Sequence, residues 1–256
     1  MAARRTLALA LSTTISVAAD AAVPTKQLRL DDGTEISYDV YNPDGKQIVL
    51  WLPSEAGVNA GEEVVAAGLA RHGVEVWMAD ILTARFLPAV RSSMHEVPAD
   101  DVVALVAAAR KRNKPVYLLS GGLGASPALR AAALARRSGA NAAISGIVLW
   151  SPNLYEKTPE VGEDARYIDA VNDVALPIAI LQAGQSPWRW RVDDLKAQLQ
   201  RAGSAVDVQL LEGVRDRFHF RRDATGKEEE LARKLPALIA QMLTRLQTLP
   251  SRPGAQ

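Results

Sequence analysis

Cysteine is absent from the 256 residues, which excludes disulfides and any thiolate-held metal. Histidine is scarce: His72, His95 and His219 are scattered, without the His-x-x-x-His spacing of a helical metal site. No metal and no cofactor is therefore expected. Charge of one sign is lacking too, since the formal net charge is only +1, which gives no electrostatic footing for nucleic acid or an anionic membrane surface. A run of membrane-spanning length is also missing. The apolar stretch Thr6 to Val17 is short and is interrupted by Ser12, Thr13, Thr14 and Ser16. Aromatics make up 5 % of the chain, so the string Trp188-Arg189-Trp190-Arg191 stands out.

What is present begins with an exported-protein leader. Arg4 and Arg5 form a basic start, the apolar stretch follows, and Ala19-Asp20-Ala21 has the Ala-x-Ala form of a cleavage site. Residues 1–22 are read as a signal peptide, 23–248 as one domain and 249–256 as a flexible tail. Removing the leader takes out Arg4, Arg5 and Asp20 and brings the formal charge from +1 to 0. The alanine- and arginine-rich composition suggests a bacterial source, hence a periplasmic destination with no membrane span after cleavage.

Leu28 to Leu30 and Ile36 to Val40 alternate around Asp31-Asp32-Gly33, as a β-hairpin does. Continuous apolar runs follow at Ile48 to Leu52, Val74 to Ala79, Val116 to Leu119, Ile147 to Trp150 and Ile178 to Leu181. Such runs suit strands covered on both faces, hence a parallel sheet, and Val206, Val208 and Leu210 add an alternating last strand. Helical segments separate them at Glu62 to Arg71, Asp100 to Arg112, Pro127 to Arg137, Val192 to Arg201 and Glu228 to Leu246. The expected fold is α/β: a doubly wound, mostly parallel sheet of about eight strands with an N-terminal antiparallel hairpin. The polar stretch Asn153 to Asp173 is expected to form a small cap over the carboxyl edge of the sheet.

At Pro115 to Ala125 an apolar strand runs through Ser120-Gly121-Gly122-Leu123-Gly124 into an alanine-rich helix. This is the strand–turn–helix setting of a nucleophile elbow, Gly-x-Ser-x-Gly. With the leading hairpin, the parallel sheet, the strand Gly146 to Trp150 and a histidine after the last strand, the chain resembles the α/β-hydrolase family from about Leu28 to Leu246. The resemblance implies a serine nucleophile, a histidine base, an orienting acid and an oxyanion hole. Gly122 stands at the serine position. The acid's turn reads Gly184-Gln185-Ser186-Pro187-Trp188, without a carboxylate until Asp193. His219 lies in the histidine's loop, although Asp216 fits that register equally well.

Two functional expectations follow. In the first, the standard Ser-His-Asp triad is lacking. The former active-site cleft then binds a small-molecule ligand or a periplasmic protein partner through Ser54, Glu55, Gly121, Gly122, Leu123, Trp188, Trp190 and His219. In the second, the chain is an esterase-type serine hydrolase using Ser126 and His219, with Asp193 or Glu156 as acid. Ser126-Pro127 also fits a helix N-cap followed by proline at the first helical position. A third possibility is an accessory subunit whose cleft is filled by its own side chains. Glu55 reads as a ligand contact or a solvated loop residue, and Asp80 as a site residue or a local cap. The Trp188–Arg191 string reads as a recognition surface or as cover for the sheet edge.

Overall fold

The computed structural model describes residues 22–140, 143–160 and 162–249. Most of the expected leader and tail therefore lies outside the described residues. Eight strands form one sheet in the order β1-β2-β4-β3-β5-β6-β7-β8. β1 (Thr25–Arg29) and β2 (Glu35–Tyr41) are the antiparallel hairpin, and β2 also runs antiparallel to β4 (Glu75–Ala79). From β4 onward the pairings are parallel, through β3 (Ile48–Leu52), β5 (Val116–Gly121), β6 (Gly146–Trp150), β7 (Ile178–Ala183) and β8 (Val206–Leu211).

The continuous apolar runs are explained by cover on both faces. In β3, Ile48, Leu50 and Leu52 join one core cluster, while Val49 and Trp51 join the other. The first cluster packs against α4 (Ala99–Arg110) and α5 (Ala125–Arg137) through Leu105, Val106, Leu129 and Ala132, and against α6 (Val192–Arg201) through Leu195 and Leu199. The second packs against α1 (Ala60–Arg71) and α7 (Gly226–Thr248). Of the helically spaced Leu231, Leu235, Leu238, Met242 and Leu246 in the sequence, Leu235, Met242 and Leu246 are buried there together with Ile239, and Leu231 and Leu238 pack at the margin. Burial of each large apolar side chain stabilises by about 1.5–3 kcal/mol, so these two layers supply most of the driving force. Two one-turn helices escape the sequence pattern: α2 (Ile81–Ala84) and α3 (Ser93–Glu96). Each is too short to show a helical period.

Caps set the helix starts. Asn59 accepts from the Glu62 amide at 3.1 Å to open α1, and Asp80 accepts from the Thr83 amide at 3.2 Å to open α2. Thr225 and Glu228 form a reciprocal capping box on α7. Glu228 also accepts from Arg215 Nε at 2.8 Å and Nη2 at 2.6 Å, which pins the loop after β8 to α7. Between β6 and β7, residues 153–173 carry an isolated bridge, Tyr155 with Tyr167, whose rings stack 5.1 Å apart. No helix among the described residues is long and apolar enough to cross a membrane.

Candidate functional site

The carboxyl ends of β3, β5, β6, β7 and β8 converge on a cleft of about 300 Å³. This is the edge of an open parallel sheet where ligands bind, because the strand-to-helix loops there leave a crevice. Its floor is the turn after β5. Gly122 has φ +54°, in the left-handed region that glycine enters freely. Its carbonyl accepts from the Asn153 amide at 2.9 Å, so the turn is tied to the segment after β6. Ser120 Oγ donates to the Leu52 carbonyl at 2.8 Å and fastens the end of β5 to β3. A Cβ on Gly121 would fall 1.8 Å from Trp150 Nε1, and one on Gly124 would fall 2.6 Å from the Pro53 carbonyl. The turn is thus packed so closely that its outer positions admit no side chain.

One wall comes from the loop after β3. Ser54 and Glu55 are buried, at 5 % and 7 % exposure, and Glu55 is paired with Arg217 across the cleft. Glu55 is therefore buried on the cleft wall and is not a solvated loop residue. Its Oε2 lies 3.5 Å from where a Cβ on Gly122 would be. The opposite wall is the loop after β8, with Asp216, Arg217 and Phe220. Arg217 has φ +60°, a left-handed backbone that aims its side chain back toward Glu55. Trp150, Ser151 and Asn153 come from β6 and the segment after it, and Trp188 from the short 3₁₀ turn Pro187–Arg191.

Glu62, in the first turn of α1, completes the cleft. It is 1 % exposed, its Oε2 has no hydrogen-bond partner, and burial pushes its carboxyl up from 4.5 to about 8. The folded chain therefore holds this proton at pH 7, whereas the unfolded chain has released it. Between about pH 4.5 and 8 the folded state binds more protons, so stability falls as pH rises, by up to about 1.4 kcal/mol per pH unit. Glu62→Gln cannot ionise and should flatten that slope. Thermal unfolding is expected to show the variant matching the parent near pH 4.5 and exceeding it at pH 8. Parallel pH dependences in the two proteins would mean that the Glu62 carboxyl is solvated.

The other sequence candidates divide. Ser54, Glu55, Gly121, Gly122, Leu123 and Trp188 all border the cleft. Trp190 does not: it is 80 % exposed, with the Arg189 guanidinium 4.8 Å from its ring centroid. His219 sits beside the wall, in an aromatic surround of Trp150 at 4.8 Å and Phe220 at 4.6 Å between ring centroids. Its Nε2 is buried without a partner, and burial, helped by the Arg217 charge, pushes the imidazole down from 6.5 to about 3. At pH 7 it is neutral.

Ser126 does not cap α5. The helix starts at Ala125 as a direct continuation of the turn Gly122–Gly124, and the Ala125 amide is already bonded to the Gly122 and Leu123 carbonyls. That leaves Ser126 in the first helical turn, 1 % exposed, with its hydroxyl unpartnered. Ser126 Oγ and His219 Nε2 make no bond to each other, and neither borders the cleft. Asp193 and Glu156 are exposed, as are His72, His95 and Glu96. Asp80 is engaged as the α2 cap. Among the described residues, no three His, Asp or Glu groups are placed to hold a metal ion.

No family model and no curated protein matches the sequence. Solved structures do match. Brefeldin A esterase, a bacterial homologue of human hormone sensitive lipase, is 17 % identical, with 92 % of this chain and 81 % of that one covered at a TM-score of 0.67. A fungal esterase from Rhizomucor miehei is 14 % identical over 91 % and 86 % at 0.65. Thermogutta terrifontis esterase 2 is 12 % identical over 90 % and 97 % at 0.63. The fold is that of the α/β-hydrolases.

Proposed function

We propose that this chain is a binding protein built on the α/β-hydrolase fold, exported by its leader to the periplasm, which takes a small polar molecule in the cleft and performs no serine-hydrolase chemistry. The observation that carries this is Gly122. It occupies the left-handed position of the turn between β5 and α5, the place from which an elbow serine attacks, and it offers no nucleophile. In front of it stand the Glu55 carboxylate and its partner Arg217. The accessory alternative is less favoured, because the cleft remains open at about 300 Å³. A concave site of that size suits a small molecule better than a protein surface.

Hydrolysis by Ser126 and His219 is the competing mechanism. In its favour, the similar solved structures carry esterase names and both side chains have an unpartnered polar atom. Against it, neither reaches the cleft, and a base must lie within hydrogen-bond reach of the proton it takes. A fluorophosphonate probe with intact-mass detection separates the two. No adduct is expected on the folded protein. Stoichiometric labelling that Ser126→Ala abolishes would establish an activated serine and overturn the binding reading.

A further inference from the structure

Three buried oxygens on the cleft lack hydrogen-bond partners: Glu55 Oε2, Glu62 Oε2 and Asp216 Oδ1. They come from the loop after β3, the first turn of α1 and the loop after β8, so no single local motif accounts for them. Glu55 and Glu62 are 7 % and 1 % exposed, and leaving such acceptors unmet is costly. Among the described residues, every orphan on the wall is a carboxyl oxygen and no buried orphan N–H accompanies them there; the one proton among them at pH 7 is that of Glu62. The charged groups facing this space are Glu55, Glu62, Asp216, Arg91 and Arg217, with neutral His219 beside Phe220. Arg217 is already committed to Glu55, and Arg91 is an exposed residue at the rim. With Glu62 protonated the wall is neutral, and once Glu62 ionises it carries one more negative charge than positive, which a bound cation balances.

We infer that the cleft is a site for an organic cation with several N–H donors spread in a plane, of the guanidinium or amidinium class, held by Glu55, Glu62 and Asp216 and flanked by Trp150 and Trp188. The inference rests on the binding role proposed above and names its ligand class. A donor-only group complements a wall whose unmet atoms are acceptors, whereas a sugar hydroxyl brings an acceptor with every donor. The three orphans come from three separate segments, and a planar fan of N–H groups reaches separated acceptors in a way that a compact ammonium does not. Aromatic side chains beside a cation add a quadrupole attraction. Binding converts Glu62 from acid to carboxylate and passes its proton to the buffer.

Benzamidine is the probe, compared with benzamide, benzoate, benzylamine and glucose. Calorimetry at pH 7 is run in phosphate and in Tris to count the proton from the difference in heat. Benzamidine is expected to bind at least tenfold tighter than each of the others, with close to one proton released. Glu62→Gln should weaken it about tenfold and remove the buffer dependence, while the variant is more thermally stable than the parent at this pH. Equal or tighter binding of any comparison compound overturns the inference, as does benzamidine failing to bind below about 10 mM or binding without proton release. If another probe binds instead, the cleft still binds ligands and only the cation assignment falls. If none binds and fluorophosphonate labels Ser126, the proposed function falls as well.

Discussion

Gly121→Ala is expected to destabilise the protein by about 3 kcal/mol or more, lowering the midpoint of thermal unfolding by roughly 10 °C for a domain of this size. Gly121 has φ −125°, which any residue adopts, so the backbone raises no objection. The objection is space. The added methyl would lie 1.8 Å from Trp150 Nε1 and 2.3 Å from its Cδ1. Trp150 cannot simply swing away, because its ring stands edge-on to Trp51 at 5.0 Å and to His219 at 4.8 Å between centroids. The next residue reverses the balance. Gly122 has a φ of +54°, which penalises a side chain, but its nearest neighbour would be 3.5 Å away. Gly122→Ala should therefore cost only about 1–2 kcal/mol, from the backbone alone. Urea unfolding of both variants tests the pair. A Gly121→Ala protein as stable as the parent would mean that Trp150 is not lodged against the turn, and Trp150→Leu in the Gly121→Ala background should recover part of the loss.

Arg85→Ala is expected to cost about 3 kcal/mol through a different mechanism. Arg85 donates to both oxygens of Asp101, at 2.7 and 2.5 Å, and Asp101 is 2 % exposed. It also donates to Asp32 at 2.6 Å and to Thr34 Oγ1 at 2.9 Å, tying α4 to the turn of the hairpin. Removing the guanidinium strands a buried carboxylate, and that desolvated charge dominates the cost. Replacing both partners with apolar groups, Arg85→Met with Asp101→Leu, should restore most of the stability. A double-mutant cycle in which the two losses add independently would show that the pair is not coupled. The Asp32 carboxyl is held down at about 2 by the Thr34 amide first and Arg85 second. Its contribution is present above about pH 4 and is lost as pH falls toward 2.

The fold was legible because burial on both faces writes itself into the sequence as unbroken apolar runs, and β3, β5, β6 and β7 each read that way. The hairpin was legible from Asp31-Asp32-Gly33, where the Leu30 amide reaches the Thr34 carbonyl at 2.8 Å. The site was legible along its floor and, on its walls, at Ser54, Glu55 and Trp188. Glu62 looks like any acidic residue suited to a helix start, and nothing in the spacing says that it points inward. Arg217 is aimed by a positive φ at a residue other than glycine, which leaves no compositional mark, and Asp216 stood in the sequence only as an alternative to His219 in the histidine's register. Ser126-Pro127 looked like a cap because the sequence does not reveal that α5 starts one residue earlier, at Ala125, as a continuation of the 3₁₀ turn. Trp188 and Trp190 are two residues apart, yet one borders the cleft and the other faces solvent. Both lie on one short 3₁₀ segment, Pro187–Arg191, whose period cannot be read from four letters.

The fastening of β5 to β3 also orders events in time. Ser120 reaches the Leu52 carbonyl across 68 positions of chain, with α1, β4 and α4 lying between. Such a contact forms only after a long loop has closed, whereas the hairpin and the individual helices need no such closure. The floor of the cleft is therefore expected to form late in folding. A chain halted with its local elements formed but its central strands unpaired would carry nearly every residue of the cleft and have no cleft at all.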